Sequence, residues 1–133
     1  MRNTVMKKRI FAAIAVVILL VLALVSCGKE QNYEFTNKAY IYESLVNDGS
    51  FTIKINSDGT FEYSVSAYHV EITGDWEYQD NIITLKEPVE GEGYWQHKFT
   101  YDGENLFYVA EGSSGFPFAT IADGDFFYYF GTN

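Results

Sequence analysis

Few residues in this chain carry side chains suited to chemistry, and their spacing is thin. There are two histidines. His69 alternates with Glu71 on the polar side of a period-two pattern and reads as a solvated residue. His97 falls in register with Trp95, Phe99 and Tyr101, so it belongs to an apolar face, where a buried imidazole bonds a tyrosine or a backbone carbonyl, or contacts a ligand. Two histidines on separate strands, with no repeated spacing, make a poor zinc set. Glu87, Glu90 and Glu92 gather in one acidic loop, Asp123 and Asp125 in another. Neither follows the residue order that wraps calcium in a compact loop. Asp58, Asp102 and Asp123 each precede a glycine, which is turn chemistry. Ser113-Ser114-Gly115 lacks the strand-to-helix turn of a nucleophile elbow. No metal, cofactor or catalytic set is expected, and a hydrolase would require a carboxylate beside His97 that no local motif supplies.

The remaining reactive residue is the single cysteine. Arg2, Lys7, Lys8 and Arg9 precede an uncharged apolar run from Ile10 to Val25, followed by Ser26 and Cys27. A basic head, an apolar stretch and small residues before a cut are the layout of a secretory leader. Leu24-Val25-Ser26-Cys27 resembles the lipobox of bacterial lipoproteins. That resemblance implies cleavage before Cys27, a diacylglyceryl group on its sulfur with palmitate-type acylation, and an extracytoplasmic, lipid-anchored protein of the bacterial membrane or envelope. Two acyl chains suffice for stable anchoring where one is marginal. The alternative, an uncleaved span held by its basic head, meets a run of 16 residues where roughly 20 are needed.

Removing residues 1–26 leaves 107 of the 133, with five lysines against 18 carboxylates, a net charge of −13. Nothing in that balance neutralises phosphates, so the charge disfavours nucleic acid and none is expected as a partner. The same 107 residues hold 11 Tyr, 10 Phe and 2 Trp, enough to fill a small β interior and still supply contact surface.

From Lys38 onward the period is two. Phe51, Ile53 and Ile55 lead through Asn56-Ser57-Asp58-Gly59 to Phe61, Tyr63 and Val65, a hairpin pattern. A long strand carries Val70, Ile72, Trp76 and Tyr78, and Asp80-Asn81 turns it into Ile82–Lys86. Trp95–Tyr101, Leu106–Ala110 and Phe126–Phe130 follow, with Tyr40–Val46 at the start. About eight short strands joined by tight turns predict an all-β fold, a small antiparallel up-and-down barrel, with a β-sandwich as the alternative. The expected organisation is a leader over 1–26, a lipidated Cys27 and polar tether to residue 37, and a barrel domain over 38–133.

Ser57-Asp58-Gly59-Thr60-Phe61, Gly74-Asp75-Trp76 with Ile82-Ile83-Thr84-Leu85, and Asp102-Gly103-Glu104-Asn105-Leu106-Phe107 resemble the hairpins of small lipocalin-like domains in bacterial lipoproteins and envelope sensors. The resemblance implies an outward-facing barrel. Two functions compete, and an eight-stranded barrel expected to be filled by its own large aromatics favours the first. One is a non-catalytic protein-interaction module, of inhibitor, immunity or sensor type, working through Phe116, Phe118 and the C-terminal strand with Phe127 and Tyr129. The other is a carrier whose mouth, lined by Trp95, His97 and Tyr101, holds a small apolar or aromatic ligand.

Overall fold

A computed structural model describes residues 31–43 and 49–132. Eight strands run β1 (Lys38–Glu43), β2 (Ser50–Ile55), β3 (Thr60–Val65), β4 (Val70–Gln79), β5 (Ile82–Pro88), β6 (Tyr94–Tyr101), β7 (Leu106–Val109) and β8 (Phe126–Thr132). Each pairs antiparallel with the next, and β8 returns to β1, so the sheet closes into an up-and-down barrel. The barrel expectation holds and the sandwich alternative falls. The leader, the lipobox and Cys27 lie outside the described residues.

Local chemistry explains the turns. Asp58 Oδ1 accepts from the Thr60 backbone N–H (2.9 Å) and hydroxyl (2.6 Å), tightening the β2–β3 hairpin. Asp80 and Asn81 both take positive φ (53° and 64°), the two-residue turn whose twist matches a hairpin. Asp102 Oδ1 accepts from the N–H groups of Glu104 and Asn105 at 2.9 and 2.7 Å. Gly74 is required by space, because a Cβ there would press on the Lys86 carbonyl oxygen and lie 2.8 Å from Phe61 Cε1.

Alternation then fills the barrel. Ile53, Ile55, Phe61, Tyr63, Ile83, Leu85, Phe99, Leu106 and Phe127 are all fully buried. One end is closed from the N-terminal side, by residues expected to be tether. Phe35 is buried, stacked on Tyr33 at 5.2 Å and set edge-on to Trp76 at 5.4 Å. Tyr40 donates its hydroxyl to the Phe35 carbonyl (2.8 Å), and the Gln31 and Asn37 N–H groups bond the carbonyls of Ser57 and Ile55. This aromatic plug turns the segment from Gln31 to Asn37 into part of the barrel.

Candidate binding site

The opposite end holds the chemistry. In β5 the inward positions are Ile83, Leu85 and Glu87, so a carboxylate follows two aliphatics on the buried face. In the β5–β6 register Leu85 faces His97 and Glu87 faces Trp95, which sets Glu87 diagonally across from His97. Their side chains meet: His97 Nε2 lies 2.7 Å from Glu87 Oε2, with both residues buried. The carboxylate expected in a surface loop is therefore an interior group, and it supplies the partner that His97 had been expected to find in a tyrosine or a backbone carbonyl. Burial holds the imidazole below its ordinary 6.5, against an opposing pull from Glu87. With the ring neutral, Nε2–H donates to the carboxylate and Nδ1 is left an acceptor. That Nδ1 has no hydrogen-bond partner.

Tyr63 completes the cluster. Its ring stands perpendicular to His97 at 6.2 Å, and its buried hydroxyl sits beside the Glu87 carboxylate. Burial first, and Glu87 second, push its pKa above the ordinary phenol value, so it remains an O–H donor. A buried polar atom without a partner, as His97 Nδ1 is, costs about 1–3 kcal/mol.

The connection from β7 to β8 covers this cluster as a lid. Phe116 lies on the imidazole face, with ring centroids 3.9 Å apart and planes 12° from parallel. Phe51 and Tyr63 stand at right angles to it, 4.8 and 5.6 Å away. The lid is tied down by side chains: Ser113 and Ser114 hydroxyls accept from the Lys98 and Gln96 N–H groups of β6 (2.9 and 3.0 Å). At its far limb Asp123 and Asp125 accept from the Ala110 and Ala122 N–H groups, both at 2.9 Å. Beside Phe116 a cleft of about 310 Å³ opens among Tyr42, Phe51, Val65, Tyr68 and Phe118. A smaller one of about 190 Å³ lies between Trp95 and Ser114–Pro117, and Phe116 and Pro117 line both.

The expected site residues are thus distributed along the barrel. Trp95, His97 and Tyr101 share one parity of β6, but six residue steps along the strand set the first about 20 Å from the last. They form no single mouth. Trp95 is at the lidded end, 41 % exposed, and His97 is buried beneath the lid. Tyr101 is at the plugged end, 5.9 Å from Phe35. Phe118 rests half-buried against Tyr68 at 5.7 Å. Phe127 is fully buried against Tyr42, Phe51 and Phe99, so it offers nothing to a partner. Tyr129 shares the parity of Phe127 but lies at the plugged rim, 40 % exposed, with Lys38 Nζ 5.6 Å from its ring. On the opposite face of β8, Phe126 is 51 % and Phe130 67 % exposed.

Sequence reasoning missed Glu87 and Tyr63 as a pair with His97. Parity with Leu85 and with Phe61 carried the signal for each. Among the described residues no group of three or more His, Cys, Asp or Glu is arranged to hold a metal ion. The class defined by this geometry is a closed eight-stranded antiparallel barrel, plugged at one end and lidded over a polar cluster at the other. No protein-family model matches the chain, and no curated protein matches it.

Proposed function

We propose that this chain is a non-catalytic binding module of a bacterial envelope, lipid-anchored through Cys27, that takes a small apolar or aromatic ligand at the lidded end of its barrel. One observation carries the reading: an interior polar cluster of Tyr63, Glu87 and His97, with His97 Nδ1 unpartnered, sits under an aromatic lid that borders two clefts. A fold selected for stability alone would fill that position with aliphatic side chains. The larger cleft, about 310 Å³, is at the lower bound of small-molecule sites, and Tyr42, Phe51, Tyr68, Phe116 and Phe118 are among its lining. Binding is favoured over nucleophilic catalysis because the lid serines engage backbone N–H groups of β6 rather than the imidazole.

The test uses the full chain in phosphatidylcholine nanodiscs with N-phenyl-1-naphthylamine, a neutral apolar probe that fluoresces when sheltered. Saturable fluorescence above that of empty nanodiscs, lost in Phe118→Asp, supports the reading. Equal signals with and without protein sink it. A second reading, docking to another envelope protein, is favoured by the outward rings of Phe126 and Phe130 on β8. Self-association or partner capture lost in Phe126→Ser/Phe130→Ser, with probe binding intact, would move the function to that face.

A further inference from the structure

We infer that the plugged end of the barrel docks on the bilayer, its rim of tyrosines and Phe130 resting at the headgroup level of a zwitterionic lipid surface, so that the lidded end faces away from the membrane. The inference rests on the proposed lipid anchor at Cys27 and names the surface that the anchored barrel turns towards it.

The reach of the chain selects the end. Cys27 precedes Gln31 by four residue steps, which span at most about 14 Å. Gln31 is fixed to the plugged end by its N–H on the Ser57 carbonyl (2.8 Å), and Asn37 is fixed likewise on Ile55 (2.6 Å). A lipid on Cys27 therefore holds this end within about 14 Å of the headgroups. The lidded end lies a barrel's height further out, about 18 Å for the eight residues of β6 at an ordinary strand tilt. Exposed rings occur there too, on Tyr68, Tyr94 and Trp95. Only those at the plugged end are within reach of the bilayer.

The rim of the plugged end has the chemistry of a membrane interface. Tyr33, Tyr129 and Phe130 are all exposed there. Tyr33 packs on Tyr78 at 4.9 Å, and Phe35 links both of them to Tyr101, 5.9 Å away. Lys38 Nζ lies 5.8 and 5.6 Å from the rings of Tyr101 and Tyr129, so the four tyrosines form one patch with a cation in it. Two of the polar tips point to the edge: the Tyr78 hydroxyl donates to Asn81 Oδ1 (3.2 Å) and the Tyr101 hydroxyl to the Gly103 carbonyl (2.8 Å), both in turns of this end. Rings with an apolar body and a polar tip are the side chains that settle between hydrocarbon and water. The plug is already fixed by its backbone bonds, so docking it orders little that is loose. The turns of the same end carry Asp58, Asp80, Asp102 and Glu104, all exposed. Those carboxylates repel anionic headgroups and attract the ammonium of zwitterionic ones, which sets the kind of lipid.

The experiment places the full chain, as matured in its bacterial host and labelled with [15N]glycine, in phosphatidylcholine nanodiscs doped with a lipid that carries gadolinium on its headgroup. Amide broadening is the readout. Gly59 and Gly103 lie in turns of the plugged end, and Gly91, Gly93 and Gly115 lie at the lidded end. The expected result is roughly tenfold or greater broadening at the first pair, because about 18 Å of barrel separates it from the others. Tyr129→Ser/Phe130→Ser should cut that broadening about threefold with lipidation unchanged, as two rings lose their apolar contact. Phe130→Ser alone, a change at an exposed ring, acts in the same direction and serves if the double variant does not fold. Replacing half of the phosphatidylcholine by phosphatidylglycerol should weaken the broadening as well. Equal broadening at both ends, no change in either variant, or stronger broadening on the anionic discs overturns the inference. Mass spectrometry of the same sample keeps the two readings apart. A diacylglyceryl adduct without the contrast between the ends sinks the docking alone, and a chain without lipid on Cys27 sinks the anchor and the docking together.

Discussion

Replacing His97 by Phe should destabilise the barrel severely, and adding Glu87→Leu to it should restore most of the loss. The pair explains why. His97 is 0 % and Glu87 4 % exposed, and their side chains meet at 2.7 Å. Phenylalanine keeps a flat ring against Phe116 but strands the carboxylate in the interior, and breaking a buried pair by removing one partner costs about 3–5 kcal/mol. Leucine at 87 removes the stranded group and extends the aliphatic run of Ile83 and Leu85 on the same face of β5. Replacement of both partners by apolar groups is about neutral, or stabilising by about 1–4 kcal/mol. The second substitution should therefore regain about 3 kcal/mol or more. Urea unfolding of a chain beginning at Gly28, followed by fluorescence of Trp76 and Trp95, measures each variant against the parent. If His97→Phe costs less than about 1 kcal/mol, or if the double variant is weaker than His97→Phe alone, Glu87 does not depend on the imidazole and the buried pair has been misread.

The pair also sets a pH response. Because burial lowers the folded-state pKa of His97 below its ordinary 6.5, the unfolded chain binds the proton first as pH falls. Stability is then full above about pH 6.5 and declines as pH drops from there through the folded-state value. The double variant should lack this slope in the same urea assay, and an unchanged slope would assign it to other groups. Gly74→Ala should cost about 1–3 kcal/mol, at the upper end because one obstacle is the Lys86 backbone carbonyl and the other the buried Phe61 ring. A thermal melt within 1 °C of the parent would mean that β4 can move off β5 at no cost. Cys27→Ala should abolish incorporation of labelled palmitate in the bacterial host and leave unprocessed precursor, and normal maturation of that variant would refute the lipid anchor.

The hairpins were legible because their residues alternate cleanly and their turns carry Asp and Gly where the backbone needs them. Phe51 to Val65 shows both signals, and the structure follows them residue by residue. Where parity was ambiguous, the reading failed. Phe126 to Phe130 is apolar on both faces, so no periodicity tells inside from outside. Pairing with β1 and β7 decides it, and turns Phe127 inward and Phe126 outward. Glu87 was hidden by its type and its neighbour. A charged residue just before Pro88 reads as loop, although its parity with Ile83 and Leu85 put it on the buried face. Its contact with His97 is diagonal across two strands, and no local spacing encodes such a pair. Phe35 was missed for a related reason: one aromatic in a polar stretch has no period, and only the barrel end it fills gives it a place.

The two ends of the barrel are closed by unlike means, and the difference argues for which of them opens. At the plugged end, Phe35 is held between neighbouring rings, its carbonyl is bonded by Tyr40, and the flanking backbone is bonded to Ser57 and Ile55. Opening it breaks those bonds and exposes apolar surface with nothing returned. At the lidded end the ties include two serine hydroxyls, each a neutral hydrogen bond worth about 0.5–1.5 kcal/mol. Lifting Phe116 also exposes apolar surface, yet it uncovers one face of His97, whose Nδ1 is buried without a partner. That atom regains about 1–3 kcal/mol once water reaches it. The return offsets part of what the lid loses in contact, and local opening of one loop costs less than unfolding the barrel. The unpaired nitrogen thus weakens the closed state at this end of the barrel, and, among the described residues, nothing comparable weakens the plug around Phe35.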